Sequence, residues 1–91
     1  MIVGTLRGTI HATIQHPFYS SRTLLLVERE DGEGRPTGGY LIAVDSVGAG
    51  AGERVLVLDE GNGARQVLAS SDGPVRSVIV GIIDAIFQAG E

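Results

Sequence analysis

The sequence predicts a mostly β fold, a small OB-like barrel of five strands with one short helix. Three observations predict it: apolar and polar residues alternate over a long N-terminal segment, short apolar runs are separated by turn signals, and 14 of the 91 residues are glycine. Glycine at about twice its average share of roughly 7 % implies more turns and close backbone approaches than a helical bundle contains. A chain of 91 residues has room for one domain, predicted over 1–91.

The first predicted strand covers residues 2–14. Its even positions are apolar or glycine, whereas its odd positions are mostly polar, so one face is predicted to lie in the core and the other in water. Gly4 and Gly8 on the inner face suggest the bends that a small closed barrel requires. Pro17 then ends the strand.

The remaining elements follow from apolar runs and the turn residues between them. Strands are predicted over 23–27, 39–44, 54–58 and 75–87, and a short helix over 63–68 with Asn62 as its N-cap. The Asp31-Gly32 step marks the turn between the second and third strands. In the last segment, β-branched residues and Gly81 favour a strand over a helix. The expected arrangement is a partly open antiparallel barrel.

The second to fifth strands carry apolar residues on both faces. A lone barrel of this size would leave the second faces partly in water, as a patch large enough to invite a partner. The chain has no cysteine, so neither disulfides nor a Cys/His zinc site can stabilise the small core. The second faces are therefore predicted to be subunit interfaces.

Composition argues against two classes of partner. The formal net charge is −4, and the chain has only two Tyr and two Phe, so it offers neither the basic groove nor the stacking aromatics that bind nucleic acid. No signal-peptide pattern and no apolar run of about 20 residues is present, which predicts a soluble protein without a membrane partner. The absence of cysteine fits a reducing cytoplasm.

No set of residues predicts catalysis, a metal or a cofactor. The glycine-rich segment 48–52 is followed by a strand pattern rather than a helix, so it indicates a tight turn or a close subunit contact and not a dinucleotide site. His11 and His16 would point to opposite faces of an extended chain, which disfavours shared metal ligation. The serine pairs at 20–21 and 70–71 lack a nucleophile elbow and are expected turn residues. The acidic residues at 28–33 are expected to form a solvated hairpin tip rather than a calcium loop.

Arg65 is different because it stands next to Gln66 on the predicted helix, just after a Gly-Asn-Gly sequence. Its planar guanidinium can donate to carbonyls or to a carboxylate across a contact. An interface or loop-bracing role is preferred to anion binding.

Blocks spread along nearly the whole chain resemble the pentameric vertex proteins of bacterial microcompartments. The blocks are GTLRGTI at 4–10, LLLV at 24–27, AVDSVGAG at 43–50, GNGARQ at 61–66, and PV at 74–75 leading to VGIID at 80–84. Each block alone is weak, but the order and the intervals are specific. Many family members carry small hydroxyl residues where this chain has Asn62 and Gly63, which puts a hydroxyl-lined opening in question.

The resemblance implies a barrel that assembles into a cyclic homopentamer, in the shell of a microcompartment in the cytoplasm, docked against hexameric shell proteins. A ring needs head-to-tail contacts that close, which fits a subunit with two different apolar surfaces. By the same resemblance, the ring contacts and the surroundings of the central opening are expected at Gly48, Ala49, Gly50, Gly61, Asn62, Gly63, Arg65 and Gln66. Two alternatives from other classes stay open: an OB-like binding module for an oligonucleotide or oligosaccharide, and a small hydrolase.

Overall fold

A computed structural model describes residues 1–11, 17–19, 22–70, 73 and 75–84. The elements in chain order are β1 (Ile2–Ile10), a 3-10 turn (Pro17–Tyr19), β2 (Leu24–Glu30), β3 (Pro36–Asp45), β4 (Arg54–Asp59), α1 (Gly61–Val67) and β5 (Ser77–Ile82). The five strands close into a barrel in the order β1-β2-β3-β5-β4. The predicted five-stranded barrel with one short helix is confirmed. Neither helical segment in the described part of the chain has the length and apolar character needed to span a membrane.

The barrel differs from the expected one in two respects. It is closed rather than partly open, and it is not wholly antiparallel, because β3 and β5 pair in parallel through Val44 with Val78 and Asp45 with Ile79. The other strand pairs are antiparallel. Since β4 lies between β3 and β5 in the chain, the chain reverses direction twice and the two strands run the same way.

The predicted alternation along β1 holds as far as Leu6, which is buried like Gly4. The pairing with β2 then shifts register between Leu6 and Gly8. A register shift of one residue moves the following side chains to the other face. Ile10 accordingly lies opposite Leu24, which packs in an apolar cluster outside the barrel. The prediction of one continuous inner face is therefore wrong beyond Leu6, and residues 12–14 lie outside the described part.

Strand boundaries also differ from the predicted ones. β2 continues beyond residue 27 through its charged end, and β3 begins at Pro36 rather than at residue 39. The charges do not end β2 because arginines neutralise them: Arg7 Nε lies 2.8 Å from Glu28 Oε1. The turn lies at the predicted Asp-Gly step, where Asp31 Oδ1 accepts hydrogen bonds from the amides of Glu33 (2.8 Å) and Arg35 (3.1 Å). β5 runs from Ser77 to Ile82 instead of beginning at residue 75, and residues 83 and 84 are not part of it; residues 85–87 of the prediction lie outside the described part.

Among the described residues, two apolar clusters form the core. The first fills the barrel and consists of Leu6, Leu25, Val27, Ala43, Val55, Val57 and Ile79. The second lies on the outer face of β3 and β5 and consists of Val44, Ala64, Val75 and Val78, with Phe18 and Tyr19 packed against it. Because Ala64 belongs to α1, the helix covers part of the second apolar face within the subunit. Tyr40 and Ile42 on β3 stay exposed.

Candidate functional site

The loop of residues 46–53, here called the glycine loop, connects β3 to β4 and takes its shape from one carboxylate. Asp45 Oδ1 accepts hydrogen bonds from the amides of Val47 (3.0 Å), Gly48 (3.1 Å) and Ala49 (3.4 Å). Gly48 has a φ of 75°, in the left-handed region that favours glycine. A side chain and a backbone conformation thus fix the first half of the loop.

The second half of the glycine loop is tied to β1. The amide of Gly52 donates to the carbonyl of Leu6 (2.8 Å), and the amide of Leu6 donates to the carbonyl of Glu53 (2.9 Å). Gly50 donates its amide to the Glu53 carboxylate. Ala49 packs against the cluster inside the barrel, so the loop closes one end of it.

The outer side of Gly48 is open. A Cβ built there would meet nothing within 4 Å, whereas at Gly50 it would lie 3.1 Å from Glu53 Oε1. Nothing in the described part of the subunit therefore occupies the space next to Gly48. That space is free for another molecule to approach the backbone.

The short helix begins earlier than predicted and has a different N-cap. Glu60, with an extended φ of −158°, is the N-cap, and its carboxylate accepts hydrogen bonds from the amides of Asn62 and Gly63, both at 2.8 Å. The prediction of Asn62 as N-cap is wrong, because the helix begins at Gly61 and the carboxylate of Glu60, two positions before Asn62, reaches both free amides. Asn62 lies in the first turn instead.

The side chain of Arg65 braces this helix from within the subunit. Its guanidinium donates to the side-chain oxygen of Asn62. Separately, the backbone carbonyl of Arg65 accepts a hydrogen bond from the amide of Ser70 (2.9 Å). A Cβ at Gly63 would lie 2.8 Å from both Glu60 Oε2 and Leu58 Cδ2, so a larger residue there would displace the ends of these two side chains. A ring contact through Gly61, Asn62, Gly63, Arg65 or the exposed Gln66 stays a prediction.

The structure does not bring the two predicted segments together. The glycine loop precedes β4 and α1 follows it, so they lie at opposite ends of a strand of six residues. Six residues span about 20 Å at roughly 3.3 Å per residue. The two segments would therefore contribute to different parts of any subunit contact.

Several acidic groups in the described part of the chain pair with arginines, and others, such as Asp45 and Glu60, accept hydrogen bonds from backbone amides. Arg35 Nη2 lies 2.5 Å from Glu33 Oε2, and no group of three or more His, Cys, Asp or Glu in the described ranges could hold a metal ion. Hydrogen bonds from the amides of Arg35 and Glu33 lower the pKa of Asp31. The serine pairs and His16 lie outside the described residues, apart from Ser70, whose hydroxyl accepts from the amide of Gly73 (3.1 Å).

No pattern in the sequence predicted the groove between β3 and the segment before β5. The groove has a volume of about 490 Å³ and is lined by Tyr19, Leu24, Leu41, Ile42, Val44, Val75, Arg76 and Ser77. It opens where β3 and β5 part, because only two residue pairs join these strands. Predicting it would have required knowledge of the short parallel pairing.

Comparison with known proteins decides the family. The family model described as ethanolamine utilisation protein EutN/carboxysome matches residues 1–84. This chain belongs to the EutN/CcmL family.

Two relatives within the EutN/CcmL family are named as shell vertex proteins. The chain is 37% identical over 91 residues, covering 100% of itself and 91% of the relative, to the bacterial microcompartment shell vertex protein EutN of Salmonella typhimurium. It is 40% identical over 86 residues, covering 94% of itself and 85% of the relative, to the carboxysome shell vertex protein CcmL of Gloeobacter violaceus.

Solved structures of this family share the fold. The structure of Gloeobacter violaceus CcmL aligns with a TM-score of 0.90 at 37% identity, covering 98% of this chain and 91% of that one. The GrpN pentameric microcompartment shell protein from Rhodospirillum rubrum aligns with a TM-score of 0.85 at 33% identity, covering 97% of this chain and 100% of that one. The resemblance inferred from the sequence is confirmed, and the alternative of an oligonucleotide or oligosaccharide binding module finds no support.

Proposed function

We propose that this chain forms a homopentamer that caps a vertex of a polyhedral microcompartment shell in the cytoplasm. The pentamer docks against hexameric shell proteins. It has no catalytic activity and no nucleic-acid partner of its own. The observation that carries the proposal is the near full-length similarity to proteins named shell vertex proteins, together with a similar solved structure described as pentameric. A five-fold unit introduces the curvature that a flat layer of six-fold tiles lacks.

The ring contacts are part of the proposal. Gly48, Ala49 and Gly50 would lie at a contact or beside the central opening, because the space outside Gly48 is open and a large side chain near a symmetry axis would meet its own images. The segment 61–66 would take part in a separate contact at the other end of β4. Gly61, Asn62, Gly63, Arg65 and Gln66 belong to that segment.

Native mass spectrometry of the purified protein at low micromolar concentration, checked by light scattering, tests the pentamer. Five subunits are expected; a monomer or dimer that persists across concentrations would contradict the proposal. Co-expression with hexameric shell proteins then tests the vertex role by electron microscopy. Closed polyhedral shells are expected with this chain, and open or tubular ones without it.

A matched pair of glycine variants tests the glycine loop. Gly48 and Gly52 both have positive φ, 75° and 86°, and a Cβ at either would meet nothing within 4 Å, so the strain of a substitution within the subunit is similar. Gly48→Phe is expected to lose pentamers, whereas Gly52→Phe keeps them. Intact pentamers with Gly48→Phe, or equal loss in both variants, would count against a specific role for Gly48.

A further inference from the structure

Asn62 is the only asparagine of the chain, and it is followed by glycine. The carboxamide of an asparagine can be attacked by the backbone nitrogen of the next residue. Glycine hinders this attack least because it has no Cβ. Such a dipeptide is therefore the sequence at which asparagine loses its side-chain nitrogen most readily. Asn62 is also exposed, so water reaches it.

The reaction at this dipeptide has two steps. In the first, the nitrogen of Gly63 forms a bond to Cγ of Asn62, and the bond from Cγ to Nδ2 breaks. The proton lost from the Gly63 amide leaves on the side-chain nitrogen, which departs as ammonia, and a cyclic succinimide remains. In the second step, water opens the ring at either carbonyl carbon and leaves aspartate or isoaspartate at position 62. The reaction requires no metal, oxidant or cofactor.

The attacking nitrogen is held by Glu60 in the folded subunit. The amide of Gly63 donates to Glu60 Oε2 and the amide of Asn62 donates to Glu60 Oε1, both at 2.8 Å. These amides belong to the first turn of α1, where no carbonyl of the helix itself can accept from them. The carboxylate of Glu60 thus fixes the direction of the nitrogen that would have to attack.

Ring closure also requires the backbone of Asn62 to leave the helix. A five-membered ring through Cγ of Asn62 and the nitrogen of Gly63 places ψ of Asn62 outside the α-helical region. The helical turn is closed by the amide of Ala64, which donates to the carbonyl of Glu60 at 2.9 Å. The native turn is therefore incompatible with the succinimide, and the reaction must pass through a local opening of α1.

The attacked group is held as well. The guanidinium of Arg65 donates to Oδ1 of Asn62. Residues three apart are neighbours on a helix surface, so this contact joins the carboxamide to the following turn. Loss of the contact would release the carboxamide to rotate about its side-chain bonds.

We propose that Asn62-Gly63 is a site of covalent modification, where asparagine is converted to aspartate or isoaspartate through a succinimide, and that Glu60 and Arg65 keep it inactive in the folded subunit. The proposal concerns the single subunit and does not depend on the pentamer. Each converted copy carries one more negative charge in segment 61–66. Isoaspartate also adds a carbon atom to the backbone of the turn that Glu60 caps.

Ageing of the purified protein in mildly alkaline buffer tests the proposal. Replacement of the side-chain nitrogen of Asn62 by oxygen is followed through the intact mass. Trypsin cleavage after Arg54 and Arg65 locates the change in peptide 55–65. The chain unfolded in guanidinium chloride at the same pH gives the rate of the unprotected dipeptide. Native wild type is expected to react at least about tenfold more slowly.

Variants of Glu60 provide the sharper comparison. Glu60→Ala is expected to raise the native rate about fivefold, because loss of an N-cap side chain raises the population of the open turn by about this factor. Glu60→Gln keeps one acceptor oxygen, so its rate should lie between those of wild type and Glu60→Ala. It decides the outcome if circular dichroism shows Glu60→Ala to be unfolded. Arg65→Ala should also raise the rate, whereas Glu33→Ala, which removes an exposed carboxylate at the hairpin tip, should leave it unchanged.

Two results would overturn the proposal. One is a native wild-type rate equal to that of the unfolded chain. The other is a rate in folded Glu60 variants equal to or below that of wild type; a decrease would mean that the carboxylate takes up the amide proton and promotes ring closure. The oligomeric state of the unaged samples separates this proposal from the proposed function. A monomer in which Glu60 protects Asn62 would contradict only the pentamer, and a pentamer with unprotected Asn62 would contradict only the proposal made here.

Discussion

The carboxylate of Glu30 on β2 faces the guanidinium of Arg54 on β4 across the intervening strand β1. Arg54 Nε lies 3.3 Å from Glu30 Oε1, and Nη2 lies 3.4 Å from Oε2. The hydroxyl of Thr5 on β1 donates to the same carboxylate at 2.8 Å. Three strands are thus joined by polar contacts on the outside of the barrel, and the side chain of Glu30 is only 6% exposed.

Removal of Arg54 should therefore destabilise the barrel. Arg54→Ala leaves a nearly buried carboxylate with Thr5 as its remaining partner, and we expect a loss of about 2 kcal/mol in the free energy of unfolding. Arg35→Ala, which breaks exposed ion pairs at the hairpin tip, should cost less than about 1 kcal/mol. Urea unfolding at one fixed protein concentration measures both, because assembly makes stability concentration-dependent. Equal losses would contradict a special role for the pair.

Gly4 and Gly8 provide a second comparison within β1. A Cβ at Gly4 would lie 2.4 Å from Val27 Cγ1 and 2.5 Å from the carbonyl oxygen of Glu28, whereas at Gly8 it would meet nothing within 4 Å. Gly4→Ala is expected to destabilise the protein by about 2 to 3 kcal/mol, because the backbone of β2 must move. Gly8→Ala should change the stability by less than about 1 kcal/mol. Thermal unfolding of the two variants under identical conditions separates them, and a larger effect at Gly8 would contradict the packing described here.

Local patterns along the chain predicted much of the fold. Alternation up to Leu6 and the Asp31-Gly32 turn appear in the structure where the sequence placed them. Both features depend on neighbouring residues, whose spacing is visible in a single sequence. Family membership also followed from the sequence, because blocks of residues in a fixed order are more specific than any one motif.

Features that depend on distant contacts could not be predicted in this way. The register shift after Leu6 depends on how β1 meets β2, and the parallel pairing of Val44 with Val78 depends on barrel closure. The apolar pattern on the second face of β3 does not show which of its residues α1 covers. Val44 is covered within the subunit, whereas Ile42, two residues earlier, is exposed.

The N-cap of α1 can be tested directly. Glu60→Ala removes the acceptor for two amides and should destabilise the protein by about 1 kcal/mol. Asn62→Ala, at the position that sequence reasoning favoured, removes only an exposed contact with Arg65 and should cost less than about 0.5 kcal/mol. Chemical unfolding followed by circular dichroism gives both values. A larger loss for Asn62→Ala would mean that Glu60 is not the main cap.

Stability in acid should depend on Asp59. The hydroxyl of Ser77 donates to its carboxylate at 2.6 Å, and this bond, followed by the nearby Arg76, lowers the pKa of Asp59 against the opposing effect of partial burial. An unfolded Asp has a pKa of about 3.9. A carboxyl group with a lowered folded pKa stabilises the native state above the unfolded value, and that contribution disappears as the pH falls through the folded value.

Ser77→Ala removes the hydrogen bond that contributes most to the lowered pKa of Asp59. The free energy of unfolding of this variant should therefore depend less steeply on pH in the acid range. We expect the variant to be less stable than wild type at neutral pH and to lose less stability between about pH 5 and about pH 2. Urea unfolding at several pH values measures the difference, with Glu33→Gln as a control that removes an exposed carboxylate elsewhere. Parallel curves for Ser77→Ala and wild type would show that the bond to Asp59 contributes nothing to acid sensitivity.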